Sequence, residues 1–337
     1  MQNPTNLNSL PPELIIEILS LTLQSTPQIR LRYSLLKSFS LVSPSFQHAA
    51  QRLLFEDVYI YHETVAQAFL TSQRELDYSI QTLRMFGDLN WDGVESLGTA
   101  GEVVRSARGV GSLALWYFEG IEGGVLEGVH LADLSSLLLS TEILPSTEDE
   151  LPLNLSFRLT NLRLSNYCYP SSLISSLFST SSNSLTTLDL SSYGGSQGTI
   201  DSSIIDNFHL IAPTLLILHL PPITNPNFTS QLALCTSLQR LHLLETDEEN
   251  LSSTFQALSS TRLISLSTRL PGSEGSERLR FLCDLVRLGD KFSALKELGR
   301  LTVLRSAGVL EEDGAEIVLR SCMNKCAEKG VRLVLEK

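Results

Sequence analysis

The sequence is short of what most functional classes need. Basic residues are scarce and scattered: 25 Lys and Arg stand against 37 Asp and Glu, a formal net charge of −12. No basic run occurs. That argues against a nucleic-acid partner, whose affinity rests on neutralising phosphates, and against an anionic membrane surface. No apolar run approaches the roughly 18 residues of a membrane-spanning helix. The opening stretch to Glu13 lacks the basic and apolar regions of a secretory signal. Cysteines are few, odd in number and spread widely: Cys168, Cys235, Cys283, Cys322 and Cys326. Reduced thiols in a cytoplasmic and/or nuclear protein suit that set better than a disulfide framework. GxSxG, HExxH and GxxxxGK[ST] are all missing. A non-enzymatic protein without metal or cofactor is the expectation.

Six histidines are present, and two of them, His219 and His242, occupy equivalent places in a repeated motif. They are expected as neighbours on adjacent strands. Two imidazoles can ligate a metal, but no third ligand falls in that column, so solvent-facing strand residues are the reading adopted. Cys322 and Cys326 stand four apart on a helical stretch with no second cysteine pair elsewhere, which suits half-buried thiols. The serine-rich residues 176–185 and the acidic residues 145–152 read as surface loops.

What the sequence has in abundance is apolar periodicity. Near the start, Pro11-Pro12-Glu13 is a helix-opening signal, followed by Leu14, Ile15, Ile18 and Leu19 at helical spacing. Gln24–Gln28 breaks that helix, and a second periodic segment carries Leu31, Leu35, Phe39 and Val42. Ser43-Pro44 then combines a cap with a proline, and Phe46, Ala49, Ala50 and Leu53 fall on one face of a third helix. About 45 residues make a marginal domain, so part of this apolar surface is expected to seek a partner. The helices would also suit an N-terminal cap on a solenoid.

The residues Leu10-Pro11-Pro12-Glu13-Leu14, Ile18-Leu19, Val42-Ser43 and Phe46, closing with Leu53-Leu54-Phe55, resemble the F-box. Two features depart from that family's pattern. The connection around residues 24–32 is longer than usual, and Phe46 stands where tryptophan is common. The resemblance implies docking on a Skp-type adaptor through Leu10, Pro11, Glu13, Leu14, Ile18, Leu19, Val42, Phe46 and Leu53.

Beyond Asp57 the chain repeats LxxLxL. Its second leucines, 162, 188, 218, 241 and 266, are 26, 30, 23 and 25 residues apart, close to the roughly 20–29 of leucine-rich repeats. Weaker copies centre on Leu83, Leu113 and Leu137, and others follow at Leu301 and Leu333. Helix-like pieces lie between: 62–78, 171–179, 201–211, 228–235, 251–259, 274–288 and 312–329. The expected fold is α/β: three N-terminal helices over residues 1–57, then a degenerate leucine-rich-repeat domain over 58–337, with one parallel strand and one helix per repeat. An ordinary βαβ protein is the competing reading, disfavoured by the regular spacing. The asparagine usual after the strand is replaced by Tyr167, Tyr193, Ile223 and Thr246, with Asn166 one place off as a partial substitute.

Strand side chains alternate. With the leucines inward, Asn161, Arg163 and Ser165 point outward, as do Thr187, Asp189 and Ser191; Ile217, His219 and Pro221; and Arg240, His242 and Leu244. Arg84, Phe86 and Trp116 precede them. From these, Trp116, Arg163, Asp189, Ile217, His219, Arg240, His242 and Leu244 are the candidate substrate-binding residues, a mixture suited to protein recognition. Taken with the F-box resemblance, they imply a substrate-recognition subunit of a cullin–RING ubiquitin ligase. Its partners would be the adaptor, the cullin scaffold and an unidentified substrate protein. The residues by themselves leave open a repeat scaffold that works outside any ligase.

Overall fold

The computed structural model describes residues 10–26, 28–76, 79–87, 94–144, 153–193, 200–221, 225–243, 248–269, 279, 283–284, 293–304 and 315–336. The chain is α/β, with all strand pairs of known register parallel, and it forms two compact units. The first comprises residues 1–115 and 129–134, the second 116–128 and 135–337.

Unit 1 opens with α1 (Pro12–Gln24), α2 (Ile29–Ser40) and α3 (Pro44–Glu56). Pro12 sits in the first turn of α1, where its missing N–H costs nothing. Ser43 caps α3, its hydroxyl accepting from Phe46 N, with Pro44 in the first turn. Ile15 and Leu19 of α1, Leu36 of α2, and Phe46, Ala49, Ala50 and Leu53 of α3 form one buried cluster. The face expected for the third helix is therefore observed, whereas the stripe expected for the first divides, with Ile15 and Leu19 buried and Leu14 and Ile18 exposed. For the second the stripe is displaced. Leu31 is exposed and Leu36 takes the inward place beside Phe39, whose ring stacks on Phe46 at 6.3 Å. Ile29 to Arg32 belong to α2, so the connection between α1 and α2 is only residues 25–28, shorter than the sequence suggests.

The chain continues into β1 (Asp57–Ile60), α4 (Glu63–Leu76), β2 (Thr82–Phe86), α5 (Val94–Ser106) and β3 (Ser112–Trp116). Neither β1 nor α5 is expected from the sequence. A four-residue strand following directly on a helix carries almost no periodic signal. Gly98 and Gly101 lower the helix propensity of α5. Tyr33 of α2 ties the helices to β1: its hydroxyl donates to Asp57 O and accepts from Tyr59 N, both at 2.9 Å. Burial pushes its pKa up to about 12, so it stays a neutral donor.

Unit 2 carries a short parallel pair, β4 (Ile121–Glu122) with β6 (Ile143–Leu144), and a main run of strands. That run is β5 (Ser136–Ser140), β7 (Asn161–Leu164), β8 (Thr187–Asp189), β9 (Ile217–Leu220), β10 (Arg240–Leu243), β11 (Ser265–Arg269), β12 (Arg300–Leu304) and β13 (Arg332–Glu336), each paired with the next. Helices alternate with them: α6 (Ser171–Thr180), α7 (Ser202–Phe208), α8 (Pro226–Gln231), α9 (Glu248–Ala257) and α10 (Ala315–Glu328). Most of the expected segment 274–288 lies outside the described residues. The leucine motif falls in register throughout: Leu137, Leu162, Leu188, Leu218, Leu241, Leu266, Leu301 and Leu333 are successive strand partners.

The serine-rich residues 176–185 are not a surface loop. Ser176–Thr180 complete α6, with Leu177 and Phe178 fully buried and Ser181 buried just beyond. The helix hydroxyls bond to its own backbone: Ser176 Oγ and Thr180 Oγ1 donate to carbonyls of the preceding turn, at Ser172 and Ser176, so polar side chains tolerate the buried helix. The acidic residues 145–152 lie outside the described residues. Of the positions replacing the usual asparagine, Tyr193 is buried and donates to Asp201 Oδ2 at 2.8 Å. Ile223 and Thr246 are outside the described residues. Asn166, in the left-handed region at φ 67°, bonds Ser140 Oγ through Nδ2. The Tyr169 hydroxyl shares its proton between Leu139 O and Ser165 O, at 2.8 and 3.1 Å. Tyr169 thus covers carbonyls at the ends of β5 and β7, as the usual asparagine would.

Leu218 is fully buried in the middle of the leucine column. Replacing it with Ala should cost about 2–5 kcal/mol in urea unfolding. Asn161→Ala, on the exposed face, should change stability by no more than about 0.5 kcal/mol.

Candidate functional site

Two surfaces carry the residues singled out from the sequence, one in each unit. In unit 1 the surface is the outside of the three helices. The structure divides the nine adaptor-contact candidates into two groups. Leu19, Phe46 and Leu53 are buried in the helical core, and Leu10 packs half-buried against it. They hold the helices together and are not available on the surface. Pro11, Glu13, Leu14, Ile18 and Val42 are exposed. Leu14, Ile18 and Leu21 lie three and four residues apart along α1, and so on one face. Together with Leu31, Leu41 and Val42 they are between 45 and 87% exposed. Six large apolar side chains exposed on some 30 residues exceed the isolated exposures normal for a surface. Leu21, Leu31 and Leu41 are additions to the candidates. The short loop after α2 turns Leu41 outward, which helical periodicity does not foresee.

In unit 2 the surface is the polar face of the strands. Position by position across the ladder, Arg163 pairs with Asp189, Asp189 with His219, and His219 with His242. Four of the eight substrate-face candidates thus form one row on four adjacent strands. Arg163 Nε lies 3.3 Å from Asp189 Oδ2 and 3.3 Å from Ser165 Oγ. Asp189 also accepts from Ser191 N through Oδ1 at 2.9 Å. The two imidazoles lie flat on each other, with ring centroids 3.9 Å apart and planes 4° apart. Burial lowers the pKa of both. His242 falls to about 4, with further lowering by His219, while Asp189 partly offsets the shift at His219. At neutral pH the stack is therefore uncharged, as face-to-face contact requires. Continuing the row, Ser267 and Thr302 follow His242, and both are buried.

The neighbouring row holds Asn161, Thr187, Ile217 and Arg240, then Ser265, Arg300 and Arg332. Ile217 is half-buried and Arg240 exposed. Arg300 Nε donates to Thr302 Oγ1 at 3.1 Å and its Nη2 to Glu336 Oε1 at 2.9 Å. Arg300 and Arg332 are functional candidates that sequence reasoning misses when it stops the face at the fifth strong repeat. The signal is there, since each opens an equivalent strand.

Two expectations for this face change. Ser165 and Pro221 are buried, because β7 and β9 end at Leu164 and Leu220 and alternation stops with them. Leu244 lies outside the described residues. In the other positions, Trp116 ends β3 half-buried, and in unit 1 Phe86 packs on Tyr59 with centroids 4.7 Å apart, beside the Arg84–Asp57 ion pair at 3.2 Å.

Among the described residues no three His, Cys, Asp or Glu side chains are grouped so as to hold a metal ion. No helix there is long and apolar enough to cross a membrane. Cys322 and Cys326 are fully buried, not half-buried, and Cys283 joins them: Cys326 Sγ lies 4.0 Å from Cys283 Sγ, and Cys322 Sγ is 3.6 Å from Leu279 O. All five cysteines are free thiols. Compared with family models and with curated proteins, the chain matches none.

A histidine with a depressed native pKa is neutral in the fold while the unfolded chain still binds its proton. Between an unfolded value of about 6.5 and the native value of about 4 for His242, acid therefore favours unfolding. The expected result is an imidazole resonance for His242 that stays neutral down to about pH 5 in an NMR titration. Stability contributed by the pair should be present above about pH 6.5 and decline as pH falls toward 4.

Proposed function

We propose that this protein recruits a substrate protein to a cullin–RING ubiquitin ligase. Its N-terminal helices dock on a Skp-type adaptor, and the polar strand face of unit 2 holds the substrate. The observation that carries the reading is the division of the α1 residues. In the motif Leu10-Pro11-Pro12-Glu13-Leu14 with Ile18-Leu19, Ile15 and Leu19 hold the helix to its neighbours while Leu14 and Ile18 stand in solvent. A helix needs only one stripe to fold; a second apolar stripe beside it, about 100° round the helix, serves an intermolecular contact. The same helix therefore has a stability face and a docking face, and the F-box resemblance supplies the partner for the second.

The mechanism is proximity. The protein transfers nothing itself; by binding adaptor and substrate at once it raises the effective concentration of the substrate near a ubiquitin-conjugating enzyme. Half-exposed Leu14 and Ile18 have apolar area left to bury, and fully burying such a side chain is worth about 1.5–3 kcal/mol. In the fold they carry little of the core. Stability and docking are thus separable by mutation.

The double substitution Leu14→Ala/Ile18→Ala should abolish co-purification with a Skp-type adaptor while circular dichroism and urea unfolding stay near wild type. Leu19→Ala should instead destabilise the helices by about 2–5 kcal/mol. A double variant that binds the adaptor as well as the parent chain would overturn the assignment.

A further inference from the structure

The chain as a whole carries a formal charge of −12, yet the strand face of unit 2 is charged in the opposite sense. Among the strand residues whose side chains are described, it holds Arg163, Arg240, Arg300 and Arg332 against Asp189 and Glu336. Both acids are already engaged, Asp189 with Arg163 and Glu336 with Arg300. Arg240 and Arg332 are exposed and have no ion-pair partner among the described residues. Arg300 and Arg332 are direct partners on adjacent parallel strands, with backbones about 4.8 Å apart. Like charges placed opposite each other in a sheet are destabilising. Glu336 offsets the charge of Arg300 but leaves that of Arg332, and an anion lying across the two strands relieves what remains.

Two further details suit an anionic ligand. Arg163 and Arg300 each donate Nε to a hydroxyl two residues on along the same strand, Ser165 and Thr302 respectively. That bond holds the guanidinium along the sheet surface and reduces the rotamer entropy lost on binding. Beside Arg240, the His219–His242 stack is uncharged, so it adds a flat platform with N–H donors and no competing negative charge.

We propose that the rows running from His219 and His242 through Arg240 to Arg300 and Arg332 bind an extended anionic peptide segment, its carboxylates or phosphates held by the arginines. The proposal deepens the recruitment reading and rests on it only in calling that segment part of a substrate. A peptide is favoured over a nucleic acid because the arginines are spaced along a single row of strands on an otherwise acidic protein, whose net charge repels a long polyanion.

The test uses the full chain and fluorescence anisotropy with three short labelled peptides of matched length: one rich in Asp and Glu, one carrying phosphoserines, and one rich in Lys. A single-stranded oligonucleotide is the fourth probe. At low salt the acidic or the phosphorylated peptide should bind, the Lys peptide should not, and added salt should weaken the complex. Arg240→Glu/Arg332→Glu should weaken binding roughly tenfold or more. Arg240→Gln/Arg332→Gln, which introduces no repulsion, should give a smaller loss in the same direction. Binding of the phosphorylated peptide alone would identify phosphate as the recognised group; comparable binding of both anionic peptides would show that carboxylates suffice. Failure of both anionic peptides to bind, equal binding of the Lys peptide, indifference to both variants, or tighter binding of the oligonucleotide would each overturn the proposal. The same preparations are assayed for adaptor co-purification. Loss of peptide binding with adaptor binding intact leaves the docking assignment standing; peptide binding without adaptor binding removes the ligase and keeps the anion-binding face.

Discussion

A single column of side chains organises the larger unit. Leu137, Leu162, Leu188, Leu218, Leu241, Leu266, Leu301 and Leu333 are partners strand to strand in a parallel ladder. Each strand satisfies its neighbour's backbone groups while the leucines pack into a continuous core. Register is therefore set by burial, since a slip of one residue would turn every leucine to solvent and every arginine and histidine inward. The helices alternating with the strands follow from the same constraint: parallel neighbours need a crossover, and a helix covers the apolar side it returns along.

That register also determines the polar face. Because position in the motif is preserved from strand to strand, whatever residue stands between the leucines is stacked on its counterpart in the next repeat. Arg163 meets Asp189, His219 meets His242, and Arg300 meets Arg332 for this reason alone. An ion pair, a neutral aromatic stack and a like-charge pair result from one geometric rule applied to different side chains. The first two are satisfied within the chain, and the third leaves positive charge for a ligand to neutralise.

The N-terminal helices obey a different balance. With only Ile15, Leu19, Leu36, Phe46, Ala49, Ala50 and Leu53 in their core, they are too small to bury all the apolar side chains they carry. Tyr33 compensates in part by bonding both Asp57 O and Tyr59 N, which ties the second helix to the first strand. The surplus, from Leu14 to Val42, stays in solvent. A domain stabilised by one face of each helix is free to present another, and this is the physical basis of the docking proposed for these helices.

Much of this fold is legible in the amino-acid sequence. The motif spacing predicts the parallel strands, the inward leucines, the neighbouring histidines and most of the alternating helices, because period two and period 3.6 are imposed on the sequence by burial. What the residues do not show is where each period ends. Ser165 and Pro221 turn inward as their strands stop, Ser176 and Ser181 are buried at the end of α6, and α5 is hidden by its glycines. Nor can periodicity choose between two apolar faces of one short helix: Leu19 and Leu14 look alike in the sequence, and only packing against α3 sends one to the core and leaves the other outside. The sequence by itself determined the strand register and the chemistry of the rows. Tertiary structure alone decided which apolar residues of the N-terminal helices went into the core, because that depends on neighbours brought together from distant parts of the chain.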